Sequence, residues 1–553
     1  MNRKIFLEYI DKGKDVYSDN RGKIENYNLS EKINLVATIT SKPNTLRSNH
    51  YHPVQQQKCL LIKGKYISIY KDLKKNNSPR ITQIINEGDL VTTEPLVAHT
   101  MVFIKDSIFL NLVNGERDHK NYGKTHTIPY QLISNEEKNF LFLNYKFDCR
   151  ICRSNELSRV LSLGFQPLAN NLNTKKNNFK SYPLELNICN KCKNLQLSII
   201  PNFKNLFSKY YYKSSVSKSF SKHFSDAAEI YCNDLNLKKK SFIIDIGSND
   251  GVGLVPFRNN GFKNLLGIEP AKNLALESKK KGLKILNEFL TIKTYKKIRK
   301  KADLILASNV FAHADNLEEM ATCMIKLLKN NGNIVVEVQY LPRMLKDLTF
   351  DNIYHEHVNY WSLTTLIKFF SKFKCTVYKA DLIDTHGGSI RIYVSKSSKK
   401  IIHNSINKIL REEKKIGILE NKLYEDFEKK IMLLKKNFQQ NIRFLKKKYS
   451  RIIGYGAPAK ASTLLNFFGV KDDFIKYVID DNNLKINKYI PGTNIKIISS
   501  KSVKTKQKCI IILAWNMFKE IKRKNNNLSY KFISVRDLFH NNFIKKFKLN
   551  KIN

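Results

Sequence analysis

A chain of 553 residues is too long for one hydrophobic core and should divide into about three or four domains. Its 42% hydrophobic and 11% aromatic content excludes wholesale disorder. The formal charge of +49 would ordinarily point to nucleic acid, but the excess is spread along the chain as Lys among abundant Asn and Ile, the bias an AT-rich genome leaves, so general attraction for anionic ligands is expected and no specific nucleic-acid partner. No apolar run reaches the roughly 20 residues that span a bilayer, and the segment Met1-Asn2-Arg3-Lys4-Ile5 has no signal-peptide core behind it. A cytoplasmic, reducing location without a membrane partner is therefore expected.

From about residue 30 to 130 the chain reads as short β-runs, among them Cys59-Leu60-Leu61-Ile62, Tyr66-Ile67-Ser68-Ile69-Tyr70 and Ile108-Phe109-Leu110-Asn111-Leu112-Val113. Strands at this spacing predict a small all-β barrel or sandwich. His50 and His52 lie at i and i+2, on one face of a strand, and with His99 they supply what a metal or substrate pocket needs. The segment Arg47-Ser48-Asn49-His50-Tyr51-His52 resembles one found in cupins that act on nucleotide sugars. Where that resemblance expects a Glu the chain has Gln57, a neutral and weaker ligand, so a second metal ion, a sugar site without metal and a vestigial barrel all remain open.

Cys149-x-x-Cys152 and Cys189-x-x-Cys192 form two knuckles with four thiolates, enough for a closed tetrahedral zinc site. With no open coordination position, such a zinc ion is structural. The other five cysteines read as small buried hydrophobes. From Ser241 onward strands alternate with helices: 241–245, 264–269, 302–307 and 332–337 are the predicted strands of a doubly wound parallel sheet. The first ends in Asp245-Ile246-Gly247-Ser248-Asn249-Asp250-Gly251, a turn that lets a ligand approach the backbone closely, and Glu269 ends the second strand where ribose hydroxyls can be bound. The Gly-x-x-x-Gly spacing favours S-adenosylmethionine over a dinucleotide; the competing reading is an ordinary βα turn. A charged helical stretch follows over 400–448, its charged face expected to be solvated. A second α/β unit has strands at 451–456, 477–480 and 509–513, the last running into Ala514-Trp515-Asn516. Its Gly454-Tyr455-Gly456 turn leaves a second cofactor open, with Lys460 a candidate phosphate contact.

Between and beyond the knuckles stand Leu163-Gly164-Phe165-Gln166-Pro167-Leu168-Ala169-Asn170, Tyr182-Pro183-Leu184, Tyr210-Tyr211-Tyr212-Lys213-Ser214-Ser215 and Asn309-Val310-Phe311-Ala312-His313. They are followed by Phe350-Asp351-Asn352-Ile353-Tyr354-His355-Glu356-His357, Thr385-His386-Gly387-Gly388-Ser389-Ile390-Arg391, Gly454-Tyr455-Gly456-Ala457-Pro458-Ala459-Lys460 and Lys488-Tyr489-Ile490-Pro491-Gly492-Thr493. Together these motifs, over about 145–525, resemble the S-adenosylmethionine-dependent C-methyltransferases of nucleotide-linked deoxysugars, here with a fused N-terminal cupin-like domain.

The resemblance implies an α/β multidomain protein: a cupin-like β-barrel over 1–135, a zinc-binding module over 145–200 and a Rossmann-like methyltransferase domain over 201–398. A helical linker over 399–448 and a C-terminal Rossmann-like domain over 449–553 complete it. It makes His357 the catalytic base, with Tyr354 and Glu356 orienting it or binding the enolate, and His313 and Tyr212 in the pocket; Asp245, Gly247, Asn249, Gly251, Glu269 and Asn309 would hold S-adenosylmethionine. The chemistry agrees with these residue types. Methylating carbon requires a carbon nucleophile, which a keto-sugar supplies once the C–H beside its carbonyl is removed, and a near-neutral His suits that task. The expected function is C-methylation of a nucleotide-linked keto-deoxysugar. The alternative is an epimerase or isomerase activity in the barrel, with the methyltransferase serving another acceptor. A non-catalytic binding protein would have no need of intact Tyr354, Glu356 and His357.

Overall fold

The computed structural model describes residues 8–19, 22–29, 32–75, 78–114, 126–176, 179–200, 213–216, 218–314, 316–397, 400–502, 509–525 and 531–549. The chain divides into two compact units, Met1–Tyr145 with Ser162–Phe165, and Lys146–Leu161 with Gln166–Asn553.

The first unit is all-β around two five-stranded antiparallel sheets. One runs Glu8–Lys12, Asp89–Thr93, Gln57–Lys63, Ser107–Val113, Leu35–Ser41; the other runs Ile128–Pro129, Leu46–Tyr51, Val97–Phe103, Lys65–Asp72, Ile81–Asn86. Cys59, Leu61, Val91 and Phe109 of the first face Tyr66, Ile85, Met101 and Phe103 of the second in one core. The chain passes between sheets at Gly64, whose φ of +107° and lack of Cβ are both needed: an added Cβ would lie 2.2 Å from Ser107 Oγ. This is the cupin-like domain that the alternating apolar runs predict.

The second unit opens with the cysteine module, where Ser181–Cys189 pairs with Leu195–Leu197, and Leu195–Leu197 pairs in turn with Asn359–Tyr360. Next comes a seven-stranded sheet in the order Ile285–Leu286, Leu265–Ile268, Ile243–Ile246, Ala302–Ser308, Leu328–Gln339, Ser389–Ser395, Thr376–Ile383. The order reverses direction at Ile243–Ile246, which creates the switch-point crevice where open α/β sheets bind ligands. One feature departs from the predicted all-parallel sheet. Ser389–Ser395 runs antiparallel to both neighbours, because the short Asp384–Gly388 turn folds it straight back along Thr376–Ile383. Gly387 and Gly388 have φ of +88° and +112° in that turn.

The predicted helical stretch is two helices, Asn404–Lys415 and Asn421–Lys448. The last sheet is fully parallel, in the order Lys496–Ile498, Tyr477–Ile479, Ile452–Tyr455, Cys509–Ile512, Lys531–Ser534, the Rossmann-like arrangement expected. Among the described residues no helix is long and apolar enough to cross a membrane.

Candidate active site

The cofactor-type turn follows from backbone sterics. Gly247, Asn249 and Gly251 have φ of +65°, +50° and +82°, conformations open to glycine and tolerated by Asn. Glu269 closes the loop: its two carboxylate oxygens accept the N–H groups of Asn249 and Ala271, each at 2.8 Å. The Asn249 side-chain oxygen accepts the Ser214 N–H at 3.1 Å, drawing in the chain ahead of the first helix of the domain. Asp245 is buried beneath; burial, and secondly the charge of Glu269, raise its pKa to about 8. Glu269 is likewise raised, by burial.

Across the switch point, Asn309 adopts φ +57° after its strand and donates its backbone N–H to Glu337 O at 2.7 Å. Its side-chain Nδ2 is buried with no hydrogen-bond partner among the described residues, and so is Ser248 Oγ. A bound polar molecule is what such orphaned groups at a switch point require. With Glu269 placed for ribose hydroxyls, the residues present fit an S-adenosyl cofactor.

The loop from Asn309 to His313 joins this turn to the second half of the site. A Cβ on Gly247 would strike Val310 at 2.4 Å, so turn and loop are packed together. Four residues on, the His313 ring meets His357 edge-on with centroids 4.8 Å apart, while Val358 donates its N–H to Ala312 O at 2.9 Å. His357 Nδ1 donates to the carbonyl of Asn352 at 2.9 Å, which fixes the tautomer: Nε2 carries the lone pair and accepts the Tyr354 hydroxyl at 2.7 Å. Tyr354 and His357 are half-exposed in an otherwise buried segment, so this pair is what the loop presents to a ligand. Glu356 is buried, with Asn170 Nδ2 at 2.8 Å from each carboxylate oxygen. His355 turns the other way. Its Nε2 lies 3.1 Å from the Pro183 carbonyl, and burial depresses its pKa to about 4, which makes it a neutral anchor.

The structure thus brings His313, Tyr354, Glu356 and His357 into one loop cluster, and Asp245, Gly247, Asn249, Gly251, Glu269 and Asn309 around one switch point. Tyr212 lies outside the described residues. Two features beside the cluster had no role assigned from sequence. Asn170 stood inside a recognised motif, but its contact with Glu356 spans 186 positions. Buried Glu337 accepts from His223 at 2.9 Å, from Arg391 at 3.1 Å and from Thr385 at 3.3 Å. Burial would raise its pKa, but His223 and Arg391 outweigh it and hold the carboxyl below its usual range. Lys460 stands over Trp515, 4.2 Å from the ring centroid; burial lowers its pKa.

The four cysteine sulfurs lie within 4.8 Å of one another, with Cys149–Cys192 at 3.4 Å and Cys152–Cys189 at 3.5 Å. The neighbouring Cys192 thiol holds Cys149 down to about 5, a thiolate in a thiol cage, and the donor set fits tetrahedral zinc.

In the first unit His50, His52 and His99 also converge, with centroids 4.8, 4.8 and 5.4 Å apart. His52 Nδ1 donates to His126 O at 2.8 Å and His99 Nδ1 to Val97 O at 3.2 Å, so both leave Nε2 as the lone-pair nitrogen. Gln57 is not part of this cluster: it lies in the opposite sheet and reaches Asn111 Oδ1 at 3.4 Å.

Comparison with known proteins follows the same division. Family models described as a putative zinc binding domain, a methyltransferase domain and a C-methyltransferase C-terminal domain match residues 149–207, 223–380 and 384–533. C-methyltransferase NovU of Streptomyces niveus is 29% identical over 382 residues, 68% of this chain and 91% of that protein. Among solved structures, an S-adenosylmethionine-dependent methyltransferase from Clostridium acetobutylicum is 14% identical, covering 32% of this chain and 91% of its own, with a TM-score of 0.28. A dTDP-4-dehydrorhamnose 3,5-epimerase from Sulfolobus tokodaii is 17% identical, covering 23% of this chain and 79% of its own, with a TM-score of 0.21. Zinc-binding, methyltransferase and C-terminal modules follow one another without a large gap, and the chain belongs to the S-adenosylmethionine-dependent C-methyltransferases, with a cupin-like domain at its N-terminal end.

Proposed function

We propose that the enzyme methylates a nucleotide-linked keto-deoxysugar at the carbon beside its carbonyl, with His357 as the base. The observation that carries this reading is the His357–Tyr354 pair, with Nδ1–H committed to Asn352 O and Nε2 turned to a phenol at 2.7 Å. Nε2 takes the proton from the carbon. The Tyr354 hydroxyl then moves its hydrogen bond to the oxygen that gains charge as the enolate forms. Glu356, held by Asn170, faces the sugar hydroxyls, and His313 borders the same space; Tyr212 keeps the pocket role implied by the resemblance. S-adenosylmethionine, when bound by Glu269, Asn309 and the glycine turn, supplies the electrophilic methyl group. What the chain contributes to the transfer is alignment, since the 309–313 loop is packed against both the turn and the base. The domain limits given above are proposed as the units that divide this work.

The test is incubation with S-adenosylmethionine and a panel of nucleotide-linked keto-sugars, read by mass. One member should gain a methyl group in place of hydrogen; no gain with any of them, in zinc-loaded protein, contradicts the reading.

One observation favours a second activity. The barrel holds two imidazoles whose Nδ1 atoms are both engaged by carbonyls, leaving lone-pair nitrogens beside a third ring, as proton transfer at a sugar carbon or a metal ion would require. Epimerisation or isomerisation of a keto-sugar by the full-length enzyme should then be lost in His52→Asn while methylation of a supplied acceptor persists. Unchanged isomerisation removes this reading.

A further inference from the structure

The base described above takes its orientation from a backbone carbonyl, that of Asn352, which lies in the short 3-10 turn Phe350–Asn352. A carbonyl orients an imidazole only as well as its own turn is held. Three successive residues of this segment are gripped from the C-terminal domain. The Phe350 ring sits among Phe467, Phe468 and Phe539, with centroids 5.2, 5.4 and 6.3 Å away. Asp351, 3% exposed, accepts the Trp515 indole N–H at 2.6 Å. The carbonyl of Ile353 accepts the hydroxyl of buried Thr463 at 3.0 Å. The Asn352 carbonyl is flanked on both sides by these tethers.

Trp515 is itself fixed. Lys460 and Arg536 stand over its ring at 4.2 and 4.9 Å, and Gly387 leaves room for it, since a Cβ there would come within 3.3 Å of Cη2. Trp515 follows the strand Cys509–Ile512, and Thr463 lies on the helix Ala459–Phe468 that follows Ile452–Tyr455. The tethers therefore come from the two central strands of the C-terminal sheet.

We infer that Trp515 and Thr463 are positioning residues for the methyl-transfer reaction: the C-terminal domain sets the tautomer and direction of His357 by fixing the Phe350–Ile353 turn. The inference rests on His357 being the base. It gives the C-terminal domain a task in the proton-transfer step itself, carried by contacts that do not involve the substrate.

The experiment compares native enzyme with Trp515→Phe, Thr463→Val, Thr463→Ser and His357→Ala, measuring kcat and KM for methyl transfer to the accepted sugar and Kd for S-adenosylmethionine. Trp515→Phe keeps the aromatic ring for Lys460 and Arg536 while removing the N–H; Thr463→Val keeps the shape and removes the hydroxyl. Each should lower kcat by about tenfold or more, the worth of one hydrogen bond to a charged or buried group. KM and cofactor Kd should stay within about twofold, and Thr463→Ser should restore kcat. A rise in KM at unchanged kcat would make Trp515 a substrate contact and overturn the inference. Equal loss in Thr463→Ser and Thr463→Val would mark a packing effect and do the same. If His357→Ala is inactive while Trp515→Phe and Thr463→Val match the native enzyme, the inference fails and the base assignment stands. If His357→Ala turns over near the native rate, the base assignment itself fails.

Discussion

His357 and Asp245 show how far identical chemistry is set by surroundings. His357 owes its tautomer to one carbonyl and its half-exposed position to a loop whose neighbours are buried. The motif Tyr354-His355-Glu356-His357 made the residue types legible in sequence. It did not show that His355 and His357 would diverge, because the direction of each ring depends on partners 172 and 5 positions away. Asp245 was legible as a cofactor-turn residue, but the proton it retains was not. Its folded pKa of about 8 lies far above the roughly 3.9 of an exposed carboxyl. Between those values the native state holds a proton that the unfolded state releases, so stability falls as pH rises through this window, by at most about 1.4 kcal/mol per unit. Replacing Asp245 by Asn removes that dependence. Its melting temperature should gain on that of the native protein steadily from pH 5 to pH 8; a constant difference across that range contradicts the burial argument.

At the level of elements, hydrophobic periodicity located the strands within a residue or two, as at Ile243–Ile246 and Ala302–Ser308. Strand direction was not readable for Ser389–Ser395, because the turn that reverses it looks in sequence like part of a functional motif. The helical stretch after residue 400 gave a clearer miss. A Lys- and Glu-rich face reads as solvated, yet Glu413 of Asn404–Lys415 is buried. It accepts the backbone N–H groups of Leu363 and Thr364 at 2.6 and 3.0 Å, the Thr364 hydroxyl at 2.6 Å and the Tyr340 hydroxyl at 2.9 Å. A carboxylate at the N-terminus of the helix Leu363–Ser371 satisfies donors that helix geometry leaves unpaired and complements the dipole. Glu413→Ala strands these donors in a buried place and should destabilise the methyltransferase domain by about 2–4 kcal/mol, seen as a lower calorimetric transition temperature. A change within about 0.5 kcal/mol would return Glu413 to the solvated surface that its composition suggested.

For the whole molecule, the motif order along the chain was enough to identify the modules, since each local signature (two knuckles, a glycine turn, a proton-transfer loop) sits on a short segment. The way the modules cooperate rests on contacts between distant segments. Asn170 with Glu356, Leu195–Leu197 with Asn359–Tyr360, and Trp515 with Asp351 join the zinc module, the methyltransferase domain and the C-terminal domain around one loop. No periodicity or spacing encodes such pairs. They account for a zinc module without a catalytic metal position beside a methyl-transfer site: its sheet braces the loop that carries the base.

The central claim is that His357 removes the proton beside the carbonyl. Its most direct test separates that step from methyl transfer: the accepted keto-sugar is incubated in D2O with enzyme and S-adenosylhomocysteine, and loss of the adjacent C–H signal is followed by NMR. The native enzyme should exchange this hydrogen for deuterium, and His357→Ala, with unchanged S-adenosylhomocysteine affinity, should reduce the exchange to the rate without enzyme. Exchange by His357→Ala at the native rate would contradict the account.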